Sequence, residues 1–386
     1  MSRYDEAARA AAEALVPTVI ESVEFRKVAL PLRSPFRTSF GTQHVREVLL
    51  LKVTIPGAEG WGEVVTTAAP VYSSEYTDGA AHVLEHHVLP RIGAVETVTA
   101  HGLAELLRPL RGHRMAKAAL ELALLDAQLR VAGESLATHL GAVRDRVPCG
   151  VSIGIPAGGI PQLEEQVRAY LEDGYLRIKL KIEPGFDVAP VTAVRETFGR
   201  DLPLQVDANS AYTLDDLAVF DALDELGLGL IEQPFGEERI LDHARLAERL
   251  DTPICLDESI LDAAGAIDAI ELGATSIVNV KAGRVGGYLE AVRVHDACAA
   301  HDVPVWCGGM LETGIGRAAN VALAALPNFQ LPGDTSASTR YFAEDVTEPF
   351  VLEDGHLAVP TGPGIGREPD PRFLEQITVD VRTLTV

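Results

Sequence analysis

The sequence predicts an α/β fold: a (β/α)8-type (modified TIM) barrel with an α+β capping domain formed by the N-terminal region and the C-terminal tail. Two patterns carry this prediction. The first is an alternation of short apolar runs with amphipathic helical patterns from residue 146 to residue 340. Such alternation is typical of a parallel sheet covered by helices, and seven or eight units indicate a barrel. The second is a charged residue at the end of each of five successive apolar runs, at steps of 24 to 26 residues.

The N-terminal part of the chain shows other patterns. Residues 1–18 are rich in alanine and predict a helical extension, whereas residues 19–145 predict the α+β capping domain. That domain is expected to begin with an antiparallel meander and to continue with helices, among them one over 115–130. A polar and aromatic segment, 34–41, links the first two strands. The three predicted strands are 20–30, 45–53 and 60–65.

The barrel is predicted over residues 146–340, with strands bounded by Gly, Pro or Asp and with helices between them. The last segment, 341–386, is strand-like and is expected to return to the capping domain. The predicted barrel strands are 150–153, 176–182, 204–207, 230–232, 254–257, 277–281, 304–307 and a segment near 330–333. The predicted barrel helices are 159–173, 188–198, 213–226, 239–250, 263–272, 288–301 and 317–326.

Composition restricts the classes of partner. The net charge of −23 argues against a nucleic-acid backbone, since phosphates would be repelled. No apolar stretch is long enough to span a bilayer, and the N-terminus lacks the basic start and apolar run of a signal peptide. The four cysteines form no C-x-x-C pair, which favours reduced thiols. We therefore expect a cytoplasmic protein with no membrane or nucleic-acid partner.

The charged residues at the ends of the apolar runs are the strongest functional signal. In a (β/α)8 barrel the C-terminal tips of the strands meet at one mouth, where active sites of this fold lie. Because side chains alternate along a strand, Lys179 and Lys181 share a face, and the apolar residues between them face the outer helices. Two buried ammonium groups require neighbouring anions. The residues at the five tips are Lys181, Asp207, Glu232, Asp257 and Lys281.

The three carboxylates predict a metal site. Asp207, Glu232 and Asp257 offer oxygen ligands only, and hard oxygen donors favour Mg²⁺ or Mn²⁺ over zinc. Three protein ligands on an octahedral ion leave positions for water and for a substrate carboxylate. The alternative interpretation makes these residues helix N-caps. It is weakest for Asp207, because Thr213 is available to cap the next helix.

The two lysines at the tips predict acid–base chemistry. Lys181 and Lys281 belong to the second and sixth strands, which lie across an eight-stranded barrel from each other. They would flank the α-carbon of a bound carboxylate, so that one removes a proton and the other returns one to the opposite face. Arg284 is close to Lys281 in sequence, a Mg²⁺ ion on the three carboxylates would be near it as well, and like charge disfavours the ammonium form. We therefore expect Lys281 to lose its proton readily enough for general base catalysis near neutral pH.

These residues resemble a known family. The Lys179-Leu-Lys181 motif, the three carboxylates and Lys281 resemble the signature of the enolase superfamily, muconate-lactonising-enzyme subgroup. Within that subgroup, four further stretches resemble the N-succinylamino acid racemase / o-succinylbenzoate synthase family, and the resemblance runs from about residue 20 to about residue 366. The four stretches are 71–76, 112–121, 306–314 and 331–336.

The resemblance implies an enzyme with a divalent cofactor. Mg²⁺, with Mn²⁺ or Co²⁺ as substitutes, would bind Asp207, Glu232 and Asp257. Lys181 and Lys281 would form the acid–base pair, and Lys179 would hold charge near the enediolate and lower the pKa of Lys181. The substrate would be a small-molecule carboxylate, and a homo-oligomer is expected. The implied substrate-binding residues are Ser152, Asn209, Gly309, Met310, Tyr72 and Phe36.

The resemblance leaves more than one reaction open. Racemisation of N-acyl (N-succinyl) amino acids, with o-succinylbenzoate synthase activity beside it, is the favoured interpretation. A dedicated o-succinylbenzoate synthase, which dehydrates its substrate in menaquinone biosynthesis, begins with the same proton abstraction. A dipeptide epimerase also uses two lysines, and Asp334 would then hold the dipeptide ammonium.

Three other interpretations are disfavoured by the sequence itself. A barrel aldolase that uses Lys181 or Lys281 as a Schiff-base nucleophile has no need for three carboxylates at strand tips. The segment 82–86 matches the H-x-x-E-H zinc pattern, but no third ligand accompanies it, so surface histidines are expected. A non-catalytic barrel would be expected to lack a ligand or a base, and here each one is present.

Overall fold

The computed structural model of the protein describes residues 15–386. The helix predicted over residues 1–18 falls for the most part outside this range. None of the helices within residues 15–386 has both the length and the apolar character needed to cross a membrane. The strands are β1 (Ser22–Thr38), β2 (Gly41–Ile55), β3 (Ala58–Val64), β4 (Arg146–Pro148), β5 (Gly150–Ile153), β6 (Arg177–Lys181), β7 (Leu204–Asp207), β8 (Ile231–Glu232), β9 (Ile254–Leu256), β10 (Ile277–Val280), β11 (Val305–Cys307), β12 (His356–Ala358) and β13 (Thr378–Thr385).

The helices are mostly short and connect these strands. A π-helical turn, Leu84–Val88, separates the first two, and 3-10 turns cover Leu214–Asp216 and Ser338–Arg340. The α-helices are α1 (Thr77–Val83), α2 (Leu89–Ile92), α3 (Ala100–Leu106), α4 (Arg114–Ala132), α5 (Leu136–Leu140), α6 (Gly159–Glu172), α7 (Val188–Phe198), α8 (Leu217–Asp224), α9 (Ile240–Ala247), α10 (Ala263–Glu271), α11 (Ala282–Val285), α12 (Tyr288–Ala300), α13 (Gly314–Ala324) and α14 (Pro371–Ile377).

The capping region is an antiparallel sheet in the order β13-β1-β2-β3, covered by α4. Strands β1 and β2 form a long hairpin that continues to its turn at Thr38 and Gly41, with an irregularity between Pro31 and Phe36. The segment 34–41, predicted as a link between strands, is therefore mostly strand. Gly62 of β3 lets α4 approach closely, because a Cβ there would lie 2.0 Å from a backbone oxygen of that helix. Strand β13 pairs with β1, so the C-terminal segment returns to this sheet.

The barrel is a parallel sheet in the order β11-β10-β9-β8-β7-β6-β5. Residues 329–333 fill the gap between the two edge strands, β11 and β5. Phe329 forms an isolated β-bridge with Val305 of β11, and Gly333 forms one with Cys149, the residue before β5. The segment predicted as a last strand near 330–333 thus makes bridges with both edges without forming a regular strand. The other predicted barrel strands and helices are present within a few residues of their expected bounds. This architecture confirms the predicted fold class.

Asp126 of α4 joins three parts of the capping region. Its buried carboxylate accepts hydrogen bonds from the backbone N–H of Trp61 (2.8 Å) and of Ile365 (2.8 Å), and from Arg130 Nε (3.0 Å). Asp126→Ala is expected to lower the free energy of unfolding by about 3 kcal/mol, because these donors lose their buried acceptor. The midpoint of urea unfolding measures this loss. Asp268→Ala, at an exposed position of α10, is the control, and equal midpoints for both variants would contradict the prediction.

Candidate active site

The tips of β6, β7 and β8 carry charged side chains in one row. Lys181 is in register with Asp207, and Asp207 is in register with Glu232. Residues in register on neighbouring strands lie side by side, so the three side chains project from the same face of the sheet. Asp257 comes directly after β9, and Lys281 comes directly after β10. All five side chains are buried, and the three carboxylates are inaccessible to solvent.

Lys179 lies in the interior of the barrel and contacts three carboxylates. Its Nζ is 2.9 Å from Glu232 Oε2, 3.3 Å from Asp207 Oδ2 and 2.7 Å from Asp334 Oδ2. Burial opposes its charge, but the three carboxylates raise the pKa of Lys179 above its usual value. This side chain is consequently a fixed ammonium group that neutralises the carboxylates around it.

Asp207 and Glu232 respond differently to the same surroundings. Burial disfavours the charge of Asp207, yet Lys181 and Lys179 outweigh it and hold its pKa well below the usual range. For Glu232, burial and then the charge of Asp207 raise the pKa. Its other oxygen accepts a hydrogen bond from Asn279 Nδ2 at 2.7 Å. The same surroundings therefore favour the charged form of Asp207 and disfavour that of Glu232.

Lys281 is held from both the barrel and the capping region. Its Nζ lies 2.8 Å from Asp257 Oδ2 and 3.0 Å from the hydroxyl of Tyr72, and Arg284 forms an ion pair with the second oxygen of Asp257. Burial lowers the pKa of Lys281, but Tyr72 and the carboxylates, Glu258 foremost, raise it overall. The expectation that Arg284 and a bound Mg²⁺ together lower this pKa stays a prediction, because it depends on the positive charge of the ion.

Gly308 makes room for this side of the site. A Cβ at this position would lie 2.2 Å from Asn279 Oδ1 and 2.8 Å from Lys281 Cγ. Only a residue without a side chain allows the backbone after β11 to pass so close to both. Asn279 and Lys281 can therefore extend into the barrel interior beneath it.

The donor set can be compared with what a divalent cation requires. No group of three or more His, Cys, Asp and Glu side chains within residues 15–386 is arranged so that it could hold a metal ion. Lysine ammonium groups lie against the oxygens of Asp207, Glu232 and Asp257. The chemistry of the set nevertheless fits a hard cation, because three buried carboxylates stand at the ends of three adjacent strands and offer only oxygen ligands.

A cavity of about 50 Å³ lies above these groups, between the barrel mouth and the capping region. Lys181 and Lys281 both line it, so the two predicted acid–base residues face one space. The predicted substrate-binding residues that line it are Phe36, Tyr72, Asn209, Gly309 and Met310. Ser152 is buried on β5 but is absent from the lining; its hydroxyl makes no hydrogen bond among the described residues.

The other lining residues are Thr38, Phe40, Gln43, Thr67 and Leu311. Thr38 and Phe40 belong to the segment 34–41, which the sequence had singled out, whereas Gln43, Thr67 and Leu311 were not identified from the sequence. The β1–β2 hairpin is seated on the barrel by the Ile155 N–H, which donates to the Arg37 carbonyl at 2.9 Å.

The H-x-x-E-H segment has a structural explanation. The rings of His82 and His86 are 4.5 Å apart across the π-helical turn, and His87 is next to them. Glu85 forms an ion pair with Arg382 of β13 at 2.7 Å. These histidines lie in the capping region away from the barrel mouth, as expected for surface residues.

His243 of α9 supports the loop after β8 and gives the protein a pH-dependent stability. Its Nδ1–H donates to the Arg239 carbonyl at 2.9 Å, and its Nε2 accepts from the Phe235 N–H at 3.2 Å. This ring is fully buried and neutral, and burial lowers its pKa to about 4.

Acid is therefore expected to destabilise the protein through His243. The unfolded chain takes up a proton at about pH 6.5, whereas the folded chain does so only near pH 4. Stability is complete above about pH 6.5 and falls as the pH drops toward 4, by about 3 kcal/mol for a shift of this size. Melting temperatures measured over that interval should decline less steeply for His243→Gln than for the wild type. Parallel curves would show that this side chain does not cause the decline.

Comparisons with known proteins agree with this geometry. The family described as Enolase C-terminal domain-like matches residues 162–373, and the Mandelate racemase / muconate lactonizing enzyme, N-terminal domain, matches residues 20–141. An N-succinylamino acid racemase of an Amycolatopsis species is 64% identical over 359 residues, which cover 93% of this chain and 97% of that protein. The chain belongs to the enolase superfamily. Within this superfamily, the chain belongs to the muconate-lactonising-enzyme subgroup.

Two further relatives of this enolase-superfamily chain extend the comparison. An o-succinylbenzoate synthase of Geobacillus kaustophilus is 45% identical over 361 residues, covering 93% of this chain and 96% of that protein. A crystal structure of an enolase-superfamily member from Listeria innocua superimposes with a TM-score of 0.91 at 38% identity, covering 95% of this chain and 99% of that one. Membership of the superfamily implies that a divalent metal ion takes part in the reaction.

Proposed function

We propose that this enzyme removes the proton α to a carboxylate, forms an enediolate and racemises N-succinylamino acids, with o-succinylbenzoate synthase activity at the same site. One observation carries the proposal. Lys181 and Lys281, from strands on opposite sides of the barrel, line the same cavity. A carbon atom between them would have a proton acceptor on one face and a proton donor on the other, as racemisation requires.

The roles of the lysines follow from their contacts. Lys181 and Lys281 each reach the cavity and act as the acid–base pair. Lys179 does not line the cavity, and three carboxylates surround its ammonium group. We assign Lys179 the task of balancing charge beneath the reacting carboxylate, not of exchanging a proton with the substrate.

The proposed cofactor is Mg²⁺ on Asp207, Glu232 and Asp257, with Mn²⁺ and Co²⁺ as substitutes. The carboxylate-only donor set supports this choice. Such an ion would supply positive charge that stabilises the enediolate and that favours the neutral form of a neighbouring lysine. Tyr72 and the carboxylates now raise the pKa of Lys281, so neutralising the carboxylates would lower that pKa and leave more of this lysine in the neutral form that can accept a proton.

The substrate is proposed to bind in the cavity between the barrel and the capping region. Asn209, Gly309, Met310, Tyr72 and Phe36 would contact it, whereas Ser152, which does not line the cavity, has no such support. The segment 34–41, which carries the lining residues Phe36 and Phe40, would close over the substrate together with Tyr72. A homo-oligomer and a cytoplasmic location stay expectations from the resemblance.

A dedicated o-succinylbenzoate synthase is the second candidate, because one base is enough for that dehydration and a relative of that name is 45% identical. Dipeptide epimerisation receives less support. Asp334, the residue considered for a dipeptide ammonium, is buried and pairs with Arg177 at 2.9 Å and with Lys179 at 2.7 Å. A carboxylate committed to two cations is poorly placed to bind a third.

Proton NMR of N-succinyl-L-phenylalanine in D₂O tests the proposal. With enzyme and Mg²⁺ the α-proton signal should disappear while the optical rotation falls, and EDTA should stop both changes. A stable α-proton signal in the presence of Mg²⁺ would count against racemisation. The o-succinylbenzoate synthase reaction, followed by ultraviolet absorbance of the aromatic product, would then be measured with the same preparation.

A further inference from the structure

Glu258 is a fourth carboxylate beside the site, and the chemistry described so far gives it no role. It follows Asp257 and is buried. Its Oε1 accepts a hydrogen bond from Asn209 Nδ2 at 2.9 Å, and its Oε2 has no hydrogen-bond partner within residues 15–386. A buried carboxylate normally has its oxygens satisfied, so a group with one free oxygen needs a reason to be there.

The contact with Asn209 fixes which way that amide points. An asparagine side chain has an acceptor oxygen and a donor nitrogen of nearly the same shape, and its surroundings decide the orientation. Asn209 Oδ1 accepts a hydrogen bond from Lys181 Nζ at 2.6 Å. A rotated amide would place its NH₂ against the ammonium group of Lys181 and its oxygen against Glu258, and both contacts would be repulsive. Glu258 thus selects the orientation that offers an acceptor to Lys181.

The backbone holds Asn209 in position for this contact. Its φ of 41° lies in the left-handed region, and its N–H donates to Asp207 Oδ1 at 2.9 Å. Asparagine tolerates this conformation better than most residues, because its side chain bonds locally. The Asn209 side chain is therefore free only to rotate its terminal amide, which would exchange Oδ1 and Nδ2. Glu258 prevents this rotation.

Lys281 is held in a different way. Its Nζ contacts Asp257 and Tyr72, and no side-chain amide hydrogen-bonds to it among the described residues. A change at Glu258 can therefore reach the orientation of Lys181 through one hydrogen-bonded residue. Glu258 acts on Lys281 through its charge, so two neutral replacements of Glu258 should affect Lys281 alike. The two faces of the reacting carbon should respond unequally.

We propose that Glu258 is a positioning residue that acts through Asn209 to aim Lys181 at the α-carbon, and that it controls proton transfer on the Lys181 face of the substrate. The proposal rests on the proposed function. In the step concerned, the neutral amine of Lys181 forms a new N–H bond as the C–H bond breaks. The electron pair of that bond passes into the carboxylate, which becomes the enediolate. A lysine displaced by 1 Å would make this transfer about 10²-fold slower.

The test is the initial rate of α-proton loss in D₂O with Mg²⁺, measured separately for N-succinyl-L-phenylalanine and its D enantiomer. Lys181→Ala and Lys281→Ala identify which enantiomer presents its α-proton to which lysine. The variants to compare are Glu258→Met, which keeps the size of the side chain but not its acceptor, and Glu258→Gln, which keeps both. Glu258→Ala is the second variant if methionine is not accommodated. Ser259→Ala is the matched control on the same turn.

Relative to Glu258→Gln, Glu258→Met is expected to slow exchange on the Lys181 face by about 10- to 100-fold, the usual cost of losing a residue that orients a reacting group. On the Lys281 face the two variants, which remove the same charge, should differ by less than about threefold. Ser259→Ala should keep the wild-type ratio of the two rates. Equal slowing of both faces by Glu258→Met relative to Glu258→Gln would overturn the proposal, since it indicates a general effect on the fold or the metal, and so would equal rates of the two variants on the Lys181 face. Absence of exchange in the wild type would instead refute the proposed function.

Discussion

Replacing Lys281 by alanine is expected to reduce racemisation by at least about 10³-fold, while deuterium exchange from one enantiomer continues. General base catalysis by a side chain contributes about 10²- to 10⁴-fold, and racemisation requires both bases in each turnover. Without Lys281, Lys181 can still remove and return a proton on its own face. Lys181→Ala should show the mirror-image result, in which the other enantiomer keeps its exchange.

The measurement has to separate the loss of a base from the loss of a charge. Lys281 also neutralises Asp257, at 2.8 Å, so alanine leaves that carboxylate with fewer cations. Lys281→Arg restores the positive charge without restoring a base, because guanidinium does not lose its proton near neutral pH. If the arginine variant is as inactive as the alanine variant, the missing base is the cause. Wild-type racemisation in either single alanine variant would refute the two-base mechanism.

The positions of the charged side chains followed from the sequence because the backbone imposes them. One βα unit occupies a nearly constant number of residues, so charged groups at steps of 24 to 26 residues had to reach successive strand tips. The alternation of Lys179 and Lys181 with apolar residues likewise fixed the face on which the lysines lie. These arguments need only the period of a strand and the length of a repeat.

The contacts made across the fold were beyond such arguments. Asp334 pairs with Arg177 and Lys179, which are more than 150 positions earlier in the chain. Neither spacing nor periodicity connects them, and the sequence equally allowed Asp334 to hold a substrate ammonium. No pattern in the sequence assigned a role to Glu258, because its partner, Asn209, belongs to a loop two strands away.

The capping region shows the same limit at the level of secondary structure. Residues 34–41 were expected to be a link, since they are polar and contain Pro35 and glycine at their end. Pairing with β2 extends the strand through most of this segment nevertheless. A cross-strand partner decided the outcome, and Gln43 came to line the cavity on the returning strand. Local composition contains no information about that partner.

Asp257→Asn is expected to reduce activity about 10²-fold and to weaken binding of the divalent ion by about 10- to 100-fold. The asparagine removes one of three anionic ligands and also removes the negative charge of Asp257 that Lys281 and Arg284 now share. Isothermal titration with Mn²⁺ measures the affinity directly, without reference to turnover. The losses of activity and of Mn²⁺ affinity should appear together, because the Asp257 carboxylate supports activity by binding the ion.

The control for Asp257→Asn is Asp268→Asn, which removes the same charge from an exposed position of α10. A net charge of −23 attracts divalent cations to the whole surface, so a general loss of one negative charge must be distinguished from loss of a ligand. Screening limits that general effect to short range at physiological salt, and Asp268→Asn should leave Mn²⁺ affinity unchanged. If Asp257→Asn bound Mn²⁺ as tightly as the control, Asp257 would not be a ligand. Its effect on activity would then be attributed to Lys281, whose ammonium group it contacts.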